Sequence, residues 1–175
     1  MMRQQIWKYS LPAHNQIKSS ILECIDKSKK EKRIGTYEQI TFTDWNNPQK
    51  FIERDYVKIM SPHLVEFFEI LDKRYYAAEH DTTNGWFQQY IKTDRHDWHF
   101  HAHTHFACVY FVELNDSKDS TQFYVNDKIY QPKVKEGDIL VFPGFVPHRS
   151  PNLADVKNRK TIISFNLDIV HPSLL

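Results

Sequence analysis

The chain has 175 residues, of which 41% are hydrophobic, 26% charged and 14% aromatic, the mix of a single globular domain rather than a disordered segment. A formal net charge of +1 gives no global attraction to nucleic acid or an anionic membrane, so neither is expected as a partner. No apolar run approaches the roughly 18 residues of a membrane span, and the N-terminus (MMRQQIWKYS) carries no stretch of signal-peptide type.

A cytoplasmic location is therefore the expectation, with the oligomeric state left open, a homodimer included. Cys24 and Cys108 are far apart and outside any CxxC spacing, which reads as two reduced, mostly buried thiols. Ile17, Ile21, Leu22 and Ile25 form one stripe at helical spacing between Asn15 and about Lys30. The segment Thr43–Pro48 (TDWNNP) is turn chemistry. Ser61 and Pro62 then open a second helix, with Leu64, Phe67, Phe68 and Leu71 on its buried face.

From Gly85 onward the period changes. Trp86–Lys92, Trp98–Leu114, Thr121–Val125, Lys128–Val134, Asp138–Phe142 and Lys160–Ile169 are short runs rich in β-branched and aromatic residues, separated by turn material. That succession predicts a mainly β domain, a sandwich or barrel over residues 85–170. A mostly helical part, residues 1–84, packs on it within one domain, 1–175.

The segment Asp97–Val112, DWHFHAHTHFACVYFV, carries the chemistry. His99, His101, His103 and His105 alternate, so on one strand all four point to one face. Neighbours at i and i+2 lie about 6.5–7 Å apart and two imidazoles can converge on one metal ion, whereas His99 to His105 would span about 20 Å. One pair is thus the metal-binding candidate, with His99 and His101 preferred and His103 and His105 lining the pocket. The third donor is His148, which follows a buried strand and a Pro-Gly turn in GDILVFPGFVPH. A chance polar face on an edge strand is the bland alternative; the aromatic residues interleaved with the histidines weigh against it. His14, His63, His80, His96 and His171 read as solvated side chains. Tyr110 and Gln122 are further candidates for lining the pocket.

Three motifs in order, HFHAHTHFACVYFV, GDILVFPGFVPHRSPN and RKTIISFN, resemble the HxHPxSxxSGVYYL, GDLVLFPSWLxHxVxPN and RxSISFN segments of 2-oxoglutarate–iron(II) oxygenases of marine bacteria and their phages. The resemblance covers roughly residues 86–167. It implies a double-stranded β-helix, a jelly-roll or cupin-like barrel, holding iron(II) through His99, His101 and His148. It implies 2-oxoglutarate as co-substrate and hydroxylation of a further substrate, small molecule or protein, with release of succinate and carbon dioxide. Arg159 is then the anchor for the distal carboxylate of 2-oxoglutarate, with Thr161 beside it. Aligning instead on Ser164-Phe165-Asn166 puts Lys160 in the basic position, and only one of the two can face the pocket. The usual facial triad has two histidines and a carboxylate; the chain contains no His-x-Asp or His-x-Glu, so His101 stands where the carboxylate usually stands. A cupin-type dioxygenase or isomerase that needs no 2-oxoglutarate, and a non-catalytic jelly-roll binding module, are the alternatives on the same fold.

Overall fold

A computed structural model describes residues 5–174. Its strands are β1 (Trp7–Ser10), β2 (Glu31–Ile34), β3 (Glu38–Thr43), β4 (Glu79–Ile91), β5 (Arg95–His99), β6 (Phe106–Glu113), β7 (Gln122–Val125), β8 (Lys128–Tyr130), β9 (Asp138–Pro143), β10 (His148–Ser150) and β11 (Arg159–Val170). Its α-helices are α1 (His14–Lys27), α2 (Asp55–Met60) and α3 (Val65–Tyr75). All strand pairings are antiparallel, in the order β1-β9-β6-β11-β4-β3-β5-β10-β7-β8, with β2 on β3. The sheet curls on itself into a double-stranded β-helix. One wall is β9-β6-β11-β4; the facing wall is β5-β10-β7-β8. Among the described residues no helix is long and apolar enough to cross a membrane.

Two apolar clusters explain this arrangement. Strands β6 and β9 are buried along almost their whole length, because one face meets the helices and the other lines the barrel. Their outward residues Cys108, Tyr110, Val112, Ile139 and Val141 pack with Ile17, Ile21 and Ile25 of α1 and with Phe67 and Leu71 of α3. Their inward residues Val109, Phe111, Leu140 and Phe142 pack across the barrel on Phe123 and Val125 of β7. Along β11 the same alternation sends Ile163, Phe165 and Leu167 outward under the helices and Ile162 inward.

The N-terminal part is less helical than its sequence suggests. It contributes β1, β2, β3 and the start of β4 as well as α1, α2 and α3. The Ser61-Pro62 start is a single 3-10 turn, and the helix proper begins at Val65. The expected strand Trp98–Leu114 is two strands, with residues 100–105 as a loop in which His103 takes a left-handed φ of 62°. Both cysteines are free thiols, Cys108 fully buried.

The turn TDWNNP fastens the helical part to the sheet. Asp44, 2% exposed, accepts the Phe87 N–H on Oδ1 at 2.9 Å and receives Arg54 Nη1 and the Tyr56 hydroxyl on Oδ2, each at 2.8 Å. Arg54 is itself buried and also donates to the Gly85 carbonyl at 2.9 Å. Removing the carboxylate leaves a guanidinium uncompensated in a dry site. Asp44→Ala is expected to lower the unfolding free energy by about 3–5 kcal/mol, read from urea denaturation; a loss below about 1 kcal/mol would show that water or a neighbour replaces the carboxylate.

Candidate metal centre

The pairing of β5 with β10 sets His148 directly opposite His99. His101 follows β5 in the loop, and its position is fixed by the turn after β9. The His101 N–H donates to the Gly144 carbonyl at 2.8 Å, and the Gly144 N–H donates to the His105 carbonyl at 3.0 Å. That approach requires glycine: a Cβ on Gly144 would lie 2.6 Å from the Thr104 carbonyl oxygen. The Pro-Gly turn therefore holds the histidine loop as well as ending β9.

The rings of His99, His101 and His148 offer donor atoms that all lie within 4.8 Å of one another. Ring centroids are 4.2 Å apart for His99 and His148, 5.0 Å for His101 and His148, and 5.6 Å for His99 and His101. In each ring Nδ1 is taken: by the Asp97 carbonyl at 2.8 Å in His99, the Asn166 Oδ1 at 2.6 Å in His101, and the Val146 carbonyl at 2.9 Å in His148. An Nδ1 that donates fixes the tautomer and leaves the Nε2 lone pair free. Burial lowers all three pKa values, that of His99 to about 4 and that of His148 well below its ordinary value. The rings are neutral at neutral pH, as metal binding requires. Three neutral imidazole donors with oriented lone pairs suit a divalent transition metal ion such as iron(II), nickel or zinc.

A narrow cleft of about 20 Å³ opens beside them, lined by Trp86, Gln88, Tyr90, His96, Ser150 and Ser164 among others, with no carboxylate among its lining residues. The buried indole Nε1 of Trp86 has no hydrogen-bond partner among the described residues. Behind Ser150 and Tyr90 lies Lys160, 2% exposed. Its ammonium donates to the Asp119 carbonyl at 2.8 Å and to Ser150 Oγ, and sits 4.4 Å from the centre of the Tyr90 ring. Burial pulls its pKa down to about 7, offset in part by the nearby Asp119 charge, with which it makes no direct ion pair.

Several sequence expectations change here. Arg159 and Thr161 are not brought to the histidines: they lie on the outward face of β11. There Arg159 pairs bidentately with Glu113 at 2.8 Å and the Thr161 hydroxyl donates to the same carboxylate. The pocket-facing register is that of Lys160, Ile162, Ser164 and Asn166, because Ile162 and Ser164 line the cleft and Asn166 holds His101. His103 and His105 do not line the pocket. His105 is exposed and pairs with Asp168 at 3.1 Å. Tyr110 faces the helices and bonds Nδ1 of the buried His14 at 2.8 Å, while Gln122 bonds Arg149. His96, read as solvated, stacks on His99 with centroids 3.7 Å apart. Tyr90 and Ser150 carry no signal in the sequence. Asn166 and Ser164 had one signal, as polar residues recurring at period two in an otherwise apolar strand.

No protein-family model matches the sequence, and no curated protein sequence matches it significantly. Similar folds are found among solved structures. A Pseudomonas putida prolyl-4-hydroxylase aligns with TM-score 0.70 and 9% identity, over 95% of this chain and 93% of that one. An oxidoreductase of the 2OG-Fe(II) oxygenase family from Burkholderia pseudomallei aligns with TM-score 0.71 and 11% identity, over 94% and 86%. HygX from Streptomyces hygroscopicus, solved with nickel and 2-oxoglutarate bound, aligns with TM-score 0.66 and 7% identity, over 95% and 83%. At such identities the likeness establishes the double-stranded β-helix fold.

Purified protein is expected to take up one nickel ion per chain. His99→Ala and His148→Ala should each abolish uptake, and Asn166→Ala should weaken it about 10- to 100-fold by freeing the His101 ring. His103→Ala and His105→Ala should leave it unchanged. Isothermal titration reads all five variants; equal losses in the His103 and His148 variants would show that the metal lies elsewhere.

Proposed function

We propose that the chain is an iron(II)- and 2-oxoglutarate-dependent oxygenase with a three-histidine centre formed by His99, His101 and His148, hydroxylating a further substrate. One observation carries this reading: behind the cleft that the three oriented imidazoles line lies a buried lysine with no carboxylate in direct contact, the Asp119 charge offsetting its burial only in part. A buried, unpaired ammonium is costly, and a fold keeps one where an anion will meet it. A distal carboxylate reaching past Ser150 would replace the Asp119 carbonyl and hydroxyl contacts with a charge-assisted pair. Lys160 thus takes the anchoring role that the sequence pointed to at Arg159.

When bound, iron(II) supplies dioxygen activation coupled to oxidative decarboxylation of 2-oxoglutarate to succinate and carbon dioxide. The protein's own part is binding, orientation and exclusion of water. Asn166, the Asp97 carbonyl and the Val146 carbonyl keep the three imidazoles in the tautomer that faces the centre. Trp86, Val109 and Ile162 form the apolar wall of the cleft. Three neutral donors leave the full dipositive charge of the ion to attract an anionic co-substrate, where a carboxylate ligand would cancel half of it. Similar folds in this class include one solved with nickel and 2-oxoglutarate and a viral collagen prolyl hydroxylase solved with 2-oxoglutarate, which supports the same pair here.

Lys160→Met is expected to raise the dissociation constant of 2-oxoglutarate by about 30-fold or more, the loss of a buried charge-assisted contact at about 1.4 kcal/mol per decade. Arg159→Ala, which loses only a partly exposed pair with Glu113, should change it by less than about threefold. Both are read by anaerobic titration of the metal-loaded protein, and the reverse ranking would return the anchor to Arg159.

The same contact sets a pH dependence. Burial favours the neutral amine of Lys160, whereas an anion favours the charged form. Above pH of about 7 binding must first take up a proton. The affinity should then fall with rising pH, approaching tenfold per unit, and lose that slope in Lys160→Met. A flat profile in the wild type would mean that the ammonium does not meet the ligand.

A further inference from the structure

Among the described residues, two buried side-chain nitrogens have no hydrogen-bond partner: His14 Nε2 and Trp86 Nε1. His14 Nε2 has the Glu136 carboxylate 3.8 Å away. Nothing comparable answers Trp86, although a buried donor left without an acceptor is rare and costly. An indole N–H can only donate, so what its place lacks is an acceptor. Trp86 stands on β4 opposite Ser164 of β11, and both line the histidine cleft. Its ring lies 5.9 Å from that of His101. Lys160, opposite Tyr90, stands four residues before Ser164, about 13 Å along the strand. The cleft therefore has an ammonium behind one end and, beside His101 at the other, an N–H without an acceptor.

The cleft of about 20 Å³ holds about one water molecule, so a larger ligand enters only where a wall yields. Val109 and Ile162 are backed by the packed interior of the barrel. Of the lining residues Trp86 alone also borders a groove of about 630 Å³. There Trp45, itself 39% exposed, stands against it with ring centroids 3.8 Å apart. Open space thus lies behind this one wall. Because its N–H holds no partner, the indole shifts without breaking a hydrogen bond.

We infer that the Trp86 indole N–H is a binding donor for the keto-acid end of 2-oxoglutarate, as Lys160 is for the far carboxylate. The inference rests on the oxygenase reading, which supplies the ligand. A 2-oxo acid that chelates a metal uses its oxo oxygen and one carboxylate oxygen. The second carboxylate oxygen stays charged and needs a donor. The indole supplies it through a charge-assisted bond, and the orphaned N–H of the cleft is satisfied in the same contact. A neutral carbonyl of the further substrate is a weaker acceptor for the same proton. The two donors then divide the recognition. Trp86 reads the head that every 2-oxo acid shares, and Lys160 reads the tail that distinguishes the five-carbon diacid from pyruvate.

The test uses the full chain loaded with zinc, which is diamagnetic, with its indole N–H signals read by NMR. The chain has four tryptophans, and the Trp86 signal is the one absent from Trp86→Phe. On saturation with 2-oxoglutarate that signal is expected to move downfield, as a new hydrogen bond requires. Trp86→Phe keeps an aromatic ring against Trp45 and removes the donor. It should weaken 2-oxoglutarate and pyruvate by the same factor, about tenfold, whereas Lys160→Met should weaken 2-oxoglutarate alone. Unchanged zinc uptake shows that Trp86→Phe is folded. If it is not, the signal is assigned by elimination from the Phe variants of Trp7, Trp45 and Trp98, and the shift alone decides. The inference is overturned if the signal stays in place at saturation, which would leave the N–H on the Trp45 ring. It is equally overturned if Trp86→Phe binds both acids like the wild type, or if its loss is confined to 2-oxoglutarate, which would put the indole at the far carboxylate. Wild-type protein that takes up zinc but binds neither acid ends the oxygenase reading, and this inference with it.

Discussion

Strand β11 is held on both edges, by β4 along its length and by β6 from Thr161 to Leu167, and that double pairing fixes which of its side chains face the barrel. Ile163, Phe165 and Leu167 are locked under the helices by apolar burial. Lys160, Ile162, Ser164 and Asn166 therefore have no choice but the interior. A slip of one residue would turn the apolar set into the barrel and drive Lys160, Ser164 and Asn166 under the helices. One register thus sets the core on one face and, on the other, both the lysine behind the cleft and the amide that orients His101. Helix packing and site geometry are the same constraint seen from two sides.

The second constraint is the curl of the sheet. His99 and His148 are far apart in sequence, and only the closure that lays β10 against β5 makes them cross-strand neighbours. His101 lies outside that ladder, beyond the end of β5. Its position depends instead on backbone bonds to the Pro-Gly turn and on Asn166. The three rings are therefore held by three different devices: a strand pair, a turn, and a side-chain amide from β11. The arrangement tolerates no freedom in any ring, because each Nδ1 is occupied.

Much of this was legible in the sequence. The apolar runs of β6 and β9 announced strands buried on both faces, and the alternation of His99 and His101 with a distal His148 announced the cluster. What the pattern could not supply was the break in the strand after His99. Alternation alone places four histidines on one face, and only the left-handed turn at His103 removes His103 and His105 from it. The choice between Arg159 and Lys160 was equally beyond local pattern. An arginine beside a threonine looks like a carboxylate grip, and it is one, but the carboxylate is Glu113 of the neighbouring strand. Partners across a sheet are not visible along a strand. For the same reason His96 and His14 read as surface residues, although tertiary contacts bury His14 and half-bury His96.

The cleft's electrostatics separate the enzyme readings more sharply than its shape does. A cupin-type enzyme without 2-oxoglutarate needs the three histidines but has no use for an ammonium sunk behind Ser150 and Tyr90. Such a charge destabilises the fold, as the fall of its pKa to about 7 records. A purely structural role would be better served by an apolar side chain of the same volume, since replacing buried charges in this way is often neutral or stabilising. The cleft lining supplies no negative group, and Asp119 offsets the burial only in part. Its natural complement is a ligand with one end suited to the histidine centre and the other carrying a carboxylate. On the function proposed above, a five-carbon keto-diacid meets both demands at once, so the lysine is the residue whose substitution separates the two readings.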